Sequence, residues 1–530
     1  MKLQNIFSLA ALCGIGKADA SSESREDIIA HTKQGPVRGI QVHDRVDAFL
    51  GVPYAQPPVG KLRFQPPQPL KVTRISQRRG EAFNATKFGP ACYQFMYNTI
   101  LGDSGKPSTP ESEDCLTLNV YVPKRSGKTE KKKKLPVYVW SYGGGFGEGS
   151  NSVPLYDPTD FVAESKDIIV VTWKAKPVLS SFFCLNSYRL NIFGFPNSPA
   201  LRHQNLGIRD QRLALEWLRD NLASFGGDPR RIVFGGQSAG ADSGHSMVYS
   251  HPRDPIISAL LLQSGTIEIL NARSADADFE YVRVAGVVGC ANSDREKELE
   301  CMRTVDADRL KHAITNSTLN RFGSPYGGMP MADNVTIFTN DEYAKRGKAG
   351  NFARLPTLMG MTLNEGDAVT NWDPVKGINK TVSRIITETS FECNTAAESG
   401  YRALHHVPVW RYLFKGVFPE VTTYPWARSY HGADIPLLMG TYNLMASNKT
   451  VGDKSSTTKE ASRLLQHFFA AFIKDPTHGL EKSYGLPTYR PNSTTLVELF
   501  NENKPSLTRA RATDNPACAN PTPIPWDETS

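Results

Sequence analysis

One serine sits between glycines in Gly236-Gln237-Ser238-Ala239-Gly240, directly after the apolar run Ile232-Val233-Phe234. A strand that ends in G-x-S-x-G and turns at once into a helix lifts the serine hydroxyl to the tip of a sharp turn. In so tight a turn, side chains two places before and two places after the serine would collide. Glycine at both places removes the clash. The helix that follows aims its partly positive N-terminus at the same point. Ser238 is therefore the candidate nucleophile for acyl transfer, and that chemistry needs three partners. A base must take the hydroxyl proton, an acid must orient the base, and backbone N–H groups must hold the oxyanion.

With this turn, the acid and then the base follow the serine in chain order. Gly360-Met361-Thr362-Leu363-Asn364-Glu365-Gly366 reads as a strand end flowing into a turn, which makes Glu365 the candidate acid. The candidate bases are His405, His406, His431, His467 and His478. His467 falls on the amphipathic stretch 461–473 and reads as structural, and His405 and His406 precede a strand without special turn chemistry. His431 precedes Gly432 in a loop between Tyr424-Pro425 and Ile435-Pro436-Leu437-Leu438, the right kind of place for a base. Trp140-Ser141-Tyr142-Gly143-Gly144-Gly145-Phe146 follows a strand, and its glycines let several N–H groups converge. The N–H of Ala239 would add another donor.

These groups need a sheet to position them. Leu135–Trp140, Ile168–Trp173, Ala259–Ser264, Leu355–Met361 and Val409–Val417 read as strands, several of them as the continuous apolar runs of strands covered on both faces. Residues 113–122 alternate and read as a strand, and Gly35–Gly39 reads as a hairpin turn between short strands. Leu206–Phe225 has helical spacing, with Leu213, Leu215, Trp217, Leu218 and Leu222 on one side. Strands alternating with helices predict a large, mostly parallel central β-sheet flanked by helices, an α/β fold in one domain.

The 530 residues are 40% hydrophobic and 22% charged, the composition of a folded globular chain with a large core. The net charge of +8 comes from scattered residues, apart from Lys131–Lys134, which reads as a solvated loop. No basic stripe interleaved with aromatics is present, so no nucleic-acid partner is expected. Lys2, the apolar run Ile6–Ile15 and Ala18-Asp19-Ala20 read as a signal peptide over residues 1–20, which leaves a mature chain of 21–530 outside the cell. No segment is long and apolar enough to span a bilayer. Six sequons fit that route: Asn84, Asn316, Asn334, Asn379, Asn448 and Asn492. Export also favours disulfides, but the seven cysteines left after Cys13 include at least one without a partner.

Several further stretches carry a resemblance: Phe49–Gly60 with Leu62-Arg63-Phe64, Glu113–Val120, Gly143–Phe146, Tyr188-Arg189-Leu190, Phe234–Ala241, Asn364-Glu365-Gly366 and His431-Gly432. With them the chain resembles the type-B carboxylesterase/lipase family, the cholinesterase-like branch of the α/β-hydrolases, and among these a secreted, fungal-type member. The resemblance implies Ser238, Glu365 and His431 as a Ser-His-Glu triad, with Gly144, Gly145 and Ala239 as oxyanion donors. It implies Ser264 as a support of the His–acid pair and disulfides Cys92–Cys115 and Cys290–Cys301. It also implies buried ion pairs Arg63–Glu113 and Arg189–Asp210. The activity implied is hydrolysis of a small-molecule or lipid ester through an acyl-enzyme, with no metal and no cofactor. The alternative is a neuroligin-like binding protein on the same fold, and such proteins usually lose a triad member that is present here.

Two departures stand out. Gln237 occupies the position where most of the family has glutamate, which together with the positive charge argues against a choline-ester substrate. After Trp173, the fourteen residues 174–187 intervene where the family runs from the strand almost directly into Tyr-Arg. They read either as a genuine loop or as a translated intron. The odd cysteine count favours the intron, because without Cys184 six cysteines remain and Cys393 can pair with Cys518. Sequencing the transcript decides: the expected message lacks codons for residues 174–187, and one that carries them makes the loop genuine.

Overall fold

The computed structural model describes residues 28–71, 81–94, 100–125, 133–172, 188–267, 279–315, 329–422, 424–445, 456–512, 515–519 and 522. The proposed signal peptide, residues 174–187, and half of the lysine run lie outside them. The main sheet has eleven strands. In chain order they are β1 (Ile40–His43), β2 (Val46–Pro53), β3 (Thr117–Pro123), β4 (Leu135–Ser141), β5 (Ile169–Thr172) and β6 (Gly227–Gln237), followed by β7 (Ala259–Gln263), β8 (Thr357–Thr362), β9 (Val409–Phe414), β10 (Leu496–Leu499) and β11 (Leu507–Ala510). Their order across the sheet is β11-β10-β9-β8-β7-β6-β4-β5-β3-β2-β1. From β10 to β5 all neighbours are parallel, and antiparallel pairs close both edges. This is the mostly parallel sheet that the alternation of strands and helices predicts, and the α/β-hydrolase fold that the resemblance implies.

The apolar runs become the central strands because helices cover both faces of a parallel sheet. Every residue of β4, β7 and β8 is buried. Among the flanking helices, α1 (Leu206–Asn221) buries Leu213, Leu215, Trp217 and Leu218, as its spacing predicts. Helix α2 (Ala239–Ser250) runs from the serine turn, and α3 (Ser456–Lys474) packs Leu465, Phe468, Phe469 and Phe472 into the core.

Two expectations are corrected. Residues 35–38 are themselves a strand, paired with Ile29–Thr32, and the turn falls at Lys33-Gln34. The strand expected over 113–122 begins only at Thr117, and its alternation does not mark an exposed face. Asn119 is fully buried there, because the β2–β3 register slips near Gly51 and the Gly51 N–H donates to Asn119 Oδ1 at 2.8 Å.

Both expected ion pairs form. The Arg63 guanidinium grips Glu113 at 2.5 and 2.6 Å. Arg189 donates to Asp210, a residue of α1, from its side chain at 2.7 and 2.9 Å and from its backbone N–H at 2.9 Å. Both members of this second pair are almost wholly enclosed, with side-chain exposures of 3% and 0%. Removing one partner of such a pair strands the other charge out of water. Arg189→Met is therefore expected to destabilise the protein by about 3–5 kcal/mol, read as a fall in the denaturant midpoint.

Candidate active site

The candidate residues gather at the carboxyl ends of neighbouring parallel strands, where ligands bind in open α/β sheets. Ser238 follows β6 at φ 54° and ψ −126°, a strained backbone for a residue with a Cβ. The flanking glycines are required by contact. A Cβ on Gly236 would lie 2.5 Å from the carbonyl carbon of Gly240, and one on Gly240 would lie 2.2 Å from the Ser141 oxygen at the end of β4. Ser238 is partly exposed at the tip of this turn. The Gly143-Gly144-Gly145 loop starts two residues after β4 and packs directly on the turn, since a Cβ on Gly143 would fall 2.7 Å from Ser238 Cβ. Gly144 and Gly145 have φ of 105° and 57°, which glycine adopts readily. Among the described residues, neither of their N–H groups has an acceptor.

Glu365 lies three residues beyond β8, and His431 lies in the loop after β9. Their side chains meet: His431 Nδ1 is 2.5 Å from Glu365 Oε2, with Glu365 fully buried and His431 12% exposed. The other carboxylate oxygen, Oε1, accepts the Thr362 N–H at 2.6 Å. Between their two loops, Asn364 pairs with Tyr430 in an isolated parallel bridge, and the Asn364 N–H donates to Ser429 at 2.9 Å. Each bridge residue immediately precedes a candidate, so one backbone contact sets the spacing of acid and base. Arg428 adds a side-chain link, donating to the buried Asp367 at 2.6 and 2.9 Å.

His405, His406 and His467 stand apart from this cluster. His405 faces the Lys348 carbonyl, His406 lies in the turn before β9, and His467 pairs with Glu164 on the surface of α3. Ser264 follows β7, but its hydroxyl is buried without a partner and makes no bond to Glu365 or His431. The Thr362 N–H is the group that reaches Glu365 Oε1. Disulfides join Cys92 to Cys115 and Cys290 to Cys301, and a third joins Cys393 to Cys518. Asn84, Asn334, Asn379 and Asn492 are exposed, and Asn316 and Asn448 lie outside the described residues.

Other residues of the site escape sequence reasoning. The Phe391 ring packs 5.0 Å from the His431 ring and comes from a distant helical segment with no motif of its own. Asp434 is buried one turn past His431, and Gln263 Nε2 donates to it at 2.8 Å while Trp140 Nε1 donates to Gln263 at 3.1 Å. Burial pushes the Asp434 carboxyl up to about 6. Gln237 Nε2 lies 2.9 Å from His431 Nε2. Its place beside the nucleophile is the one signal that could have flagged that contact.

A strained serine, a glycine loop packed on it and a carboxylate–imidazole pair gather at the strand ends of an α/β-hydrolase sheet. Comparison with known proteins narrows the class. A model of the carboxylesterase family matches residues 26–377. The chain is 34% identical to a chlorogenic acid esterase of Aspergillus niger, over 86% of this chain and 84% of that protein. It is 32% identical to secreted lipase 5 of Gibberella zeae, over 87% of each. It is 33% identical to an acetylcholinesterase of Electrophorus electricus, over 70% of this chain and 56% of that protein. The chain belongs to the carboxylesterase family and is a carboxylic-ester hydrolase.

One buried acid beside the turn has a measurable consequence. Asp242, in the first turn of α2, accepts the Ser246 hydroxyl at 3.0 Å, yet burial pushes its carboxyl from 3.8 up to about 7. Between those values the native state holds a proton that the unfolded chain has released, so this group makes stability fall as pH rises. Asp242→Asn removes the ionisation, and its thermal midpoint relative to wild type is expected to be higher at about pH 8 than at about pH 4.

Proposed function

We propose that this protein is a secreted serine esterase or lipase that acts on uncharged esters through an acyl-enzyme on Ser238. The observation that carries the reading is the 2.5 Å contact between His431 Nδ1 and Glu365 Oε2, with the other ring nitrogen turned toward the residue next to Ser238. In this reading Glu365 accepts the Nδ1 proton, which leaves Nε2 as the lone pair of a base. Ser238 attacks the ester carbonyl as His431 takes its proton. The developing oxyanion draws on the N–H groups of Gly144, Gly145 and Ala239, each such donor being worth about 3 kcal/mol of barrier. The proton then passes from His431 to the departing alcohol. Water repeats the sequence on the acyl-enzyme and frees the acid. The buried carboxylate stabilises the imidazolium formed in both halves of the reaction.

The relatives that this chain matches over most of their length are an esterase and a secreted lipase, and three disulfides fit an oxidising compartment. Both support an extracellular hydrolase, folded as one domain over residues 21–530. No helix among the described residues is long and apolar enough to cross a membrane. The amide at Gln237 removes a negative charge beside the nucleophile, which favours neutral over cationic alcohol groups.

The test is covalent labelling by a fluorophosphonate. Wild type is expected to label rapidly and Ser238→Ala not at all. Glu365→Gln is expected to label and to lose about 10³–10⁴-fold in kcat on an ester. Folded wild-type protein that does not label would sink the reading. Rates across acyl lengths, with and without a lipid–water interface, then separate lipase from esterase.

A further inference from the structure

Gln237 touches both halves of the site. Its Nε2 lies 2.9 Å from His431 Nε2. Its Oε1 lies against the glycine loop, where a Cβ on Gly143 would fall 2.5 Å from it. The residue is 4% exposed, so water competes little for either end. Among the described residues, no hydrogen bond joins the Ser238 hydroxyl to His431; the amide occupies the nitrogen that the serine must use.

The chemistry of the ring decides which end of the amide faces it. An amide has a donor end and an acceptor end. With Nδ1–H given to Glu365, the neutral ring offers only a lone pair at Nε2, and the NH₂ end satisfies it. Once the ring takes a proton, both nitrogens donate. The NH₂ end then no longer fits, and the carbonyl end does. A hydrogen bond made to one protonation state favours that state.

We propose that Gln237 is a positioning residue of the hydrolase: in the resting enzyme its NH₂ group holds the His431 Nε2 lone pair, and it yields that lone pair to Ser238 when the serine attacks. The proposal rests on the Ser238–His431–Glu365 reading above. It makes the residue before the nucleophile a competitor for the base as well as a neutral substitute for an acid. The other titratable groups around the ring are Glu365 at Nδ1 and the buried Asp434 on the same loop, and Tyr412 of β9 faces both acids. Phe391 covers the ring without charge.

The test is the pH dependence of kcat/KM on an uncharged acyl ester, run on the full chain for wild type, Gln237→Glu and Gln237→Met. A carboxylate at position 237 stabilises the imidazolium, so the acid limb of Gln237→Glu is expected to move up by about one pH unit. Methionine has similar length and no donor. It frees the lone pair, so fluorophosphonate labelling of Gln237→Met on the pH plateau is expected to be several-fold faster than wild type. An acid limb unmoved in Gln237→Glu, or slower labelling of Gln237→Met, overturns the role of Gln237 while leaving the hydrolase intact. If the glutamate variant does not fold, the methionine variant decides alone. A wild type that does not label overturns the hydrolase reading, and this proposal with it.

Discussion

The whole site hangs on how closely β4 and β6 end beside one another. Gly240 stands so near the Ser141 carbonyl that a single added methyl would overlap it, and Gly236 stands as near Gly240. That contact forces Ser238 into a backbone region that L-residues avoid. It also presses the Gly143 loop onto the nucleophile. The strain is held by the sheet around it: Ser238 N–H donates to the Gln263 carbonyl at 2.9 Å, and β6, buried from Ile232 to Gln237, lies between β4 and β7. The candidate nucleophile and the candidate oxyanion loop, on separate strands, are thereby packed directly against each other.

Around that centre, the loops are braced by buried polar groups rather than by apolar packing alone. Arg189 and Arg63 tie connecting segments to Asp210 and Glu113. Trp140, Gln263 and Asp434 form a chain from β4 through β7 to the base loop. Buried charges and amides are costly unless satisfied, so each such bond admits few alternative loop positions. The raised Asp434 carboxyl shows the cost that remains, since one of its oxygens is buried without a partner.

Much of this was legible in the sequence, for identifiable reasons. The central strands announce themselves because both faces are buried, so composition alone marks them. The serine turn is legible because sterics leave only glycine at Gly236 and Gly240. Glu365 and His431 could be placed at strand ends, but their pairing depends on a bridge between residues 66 apart, and no local pattern encodes it. The alternation over 113–122 yields the strand but not its burial, since Asn119 sits inside to answer a register slip in another strand. Ser264 came with the resemblance alone, and its hydroxyl makes no bond to the candidate acid. Phe391 left no trace at all, because an aromatic that covers an imidazole from a remote helix looks like any other core residue.

The bridge between Asn364 and Tyr430 separates two quantities that a loop usually couples. The chain makes a long excursion between Glu365 and β9 and another between β9 and His431, and excursions of that kind tolerate insertion and deletion at small entropic cost. Because the chain after β9 returns to Asn364 at the bridge just before His431, and Asn364 itself follows β8 at once, the length of either excursion does not reach the Glu365–His431 distance. The segments around the pair can therefore change in length over evolutionary time while the Glu365–His431 contact keeps its dimensions.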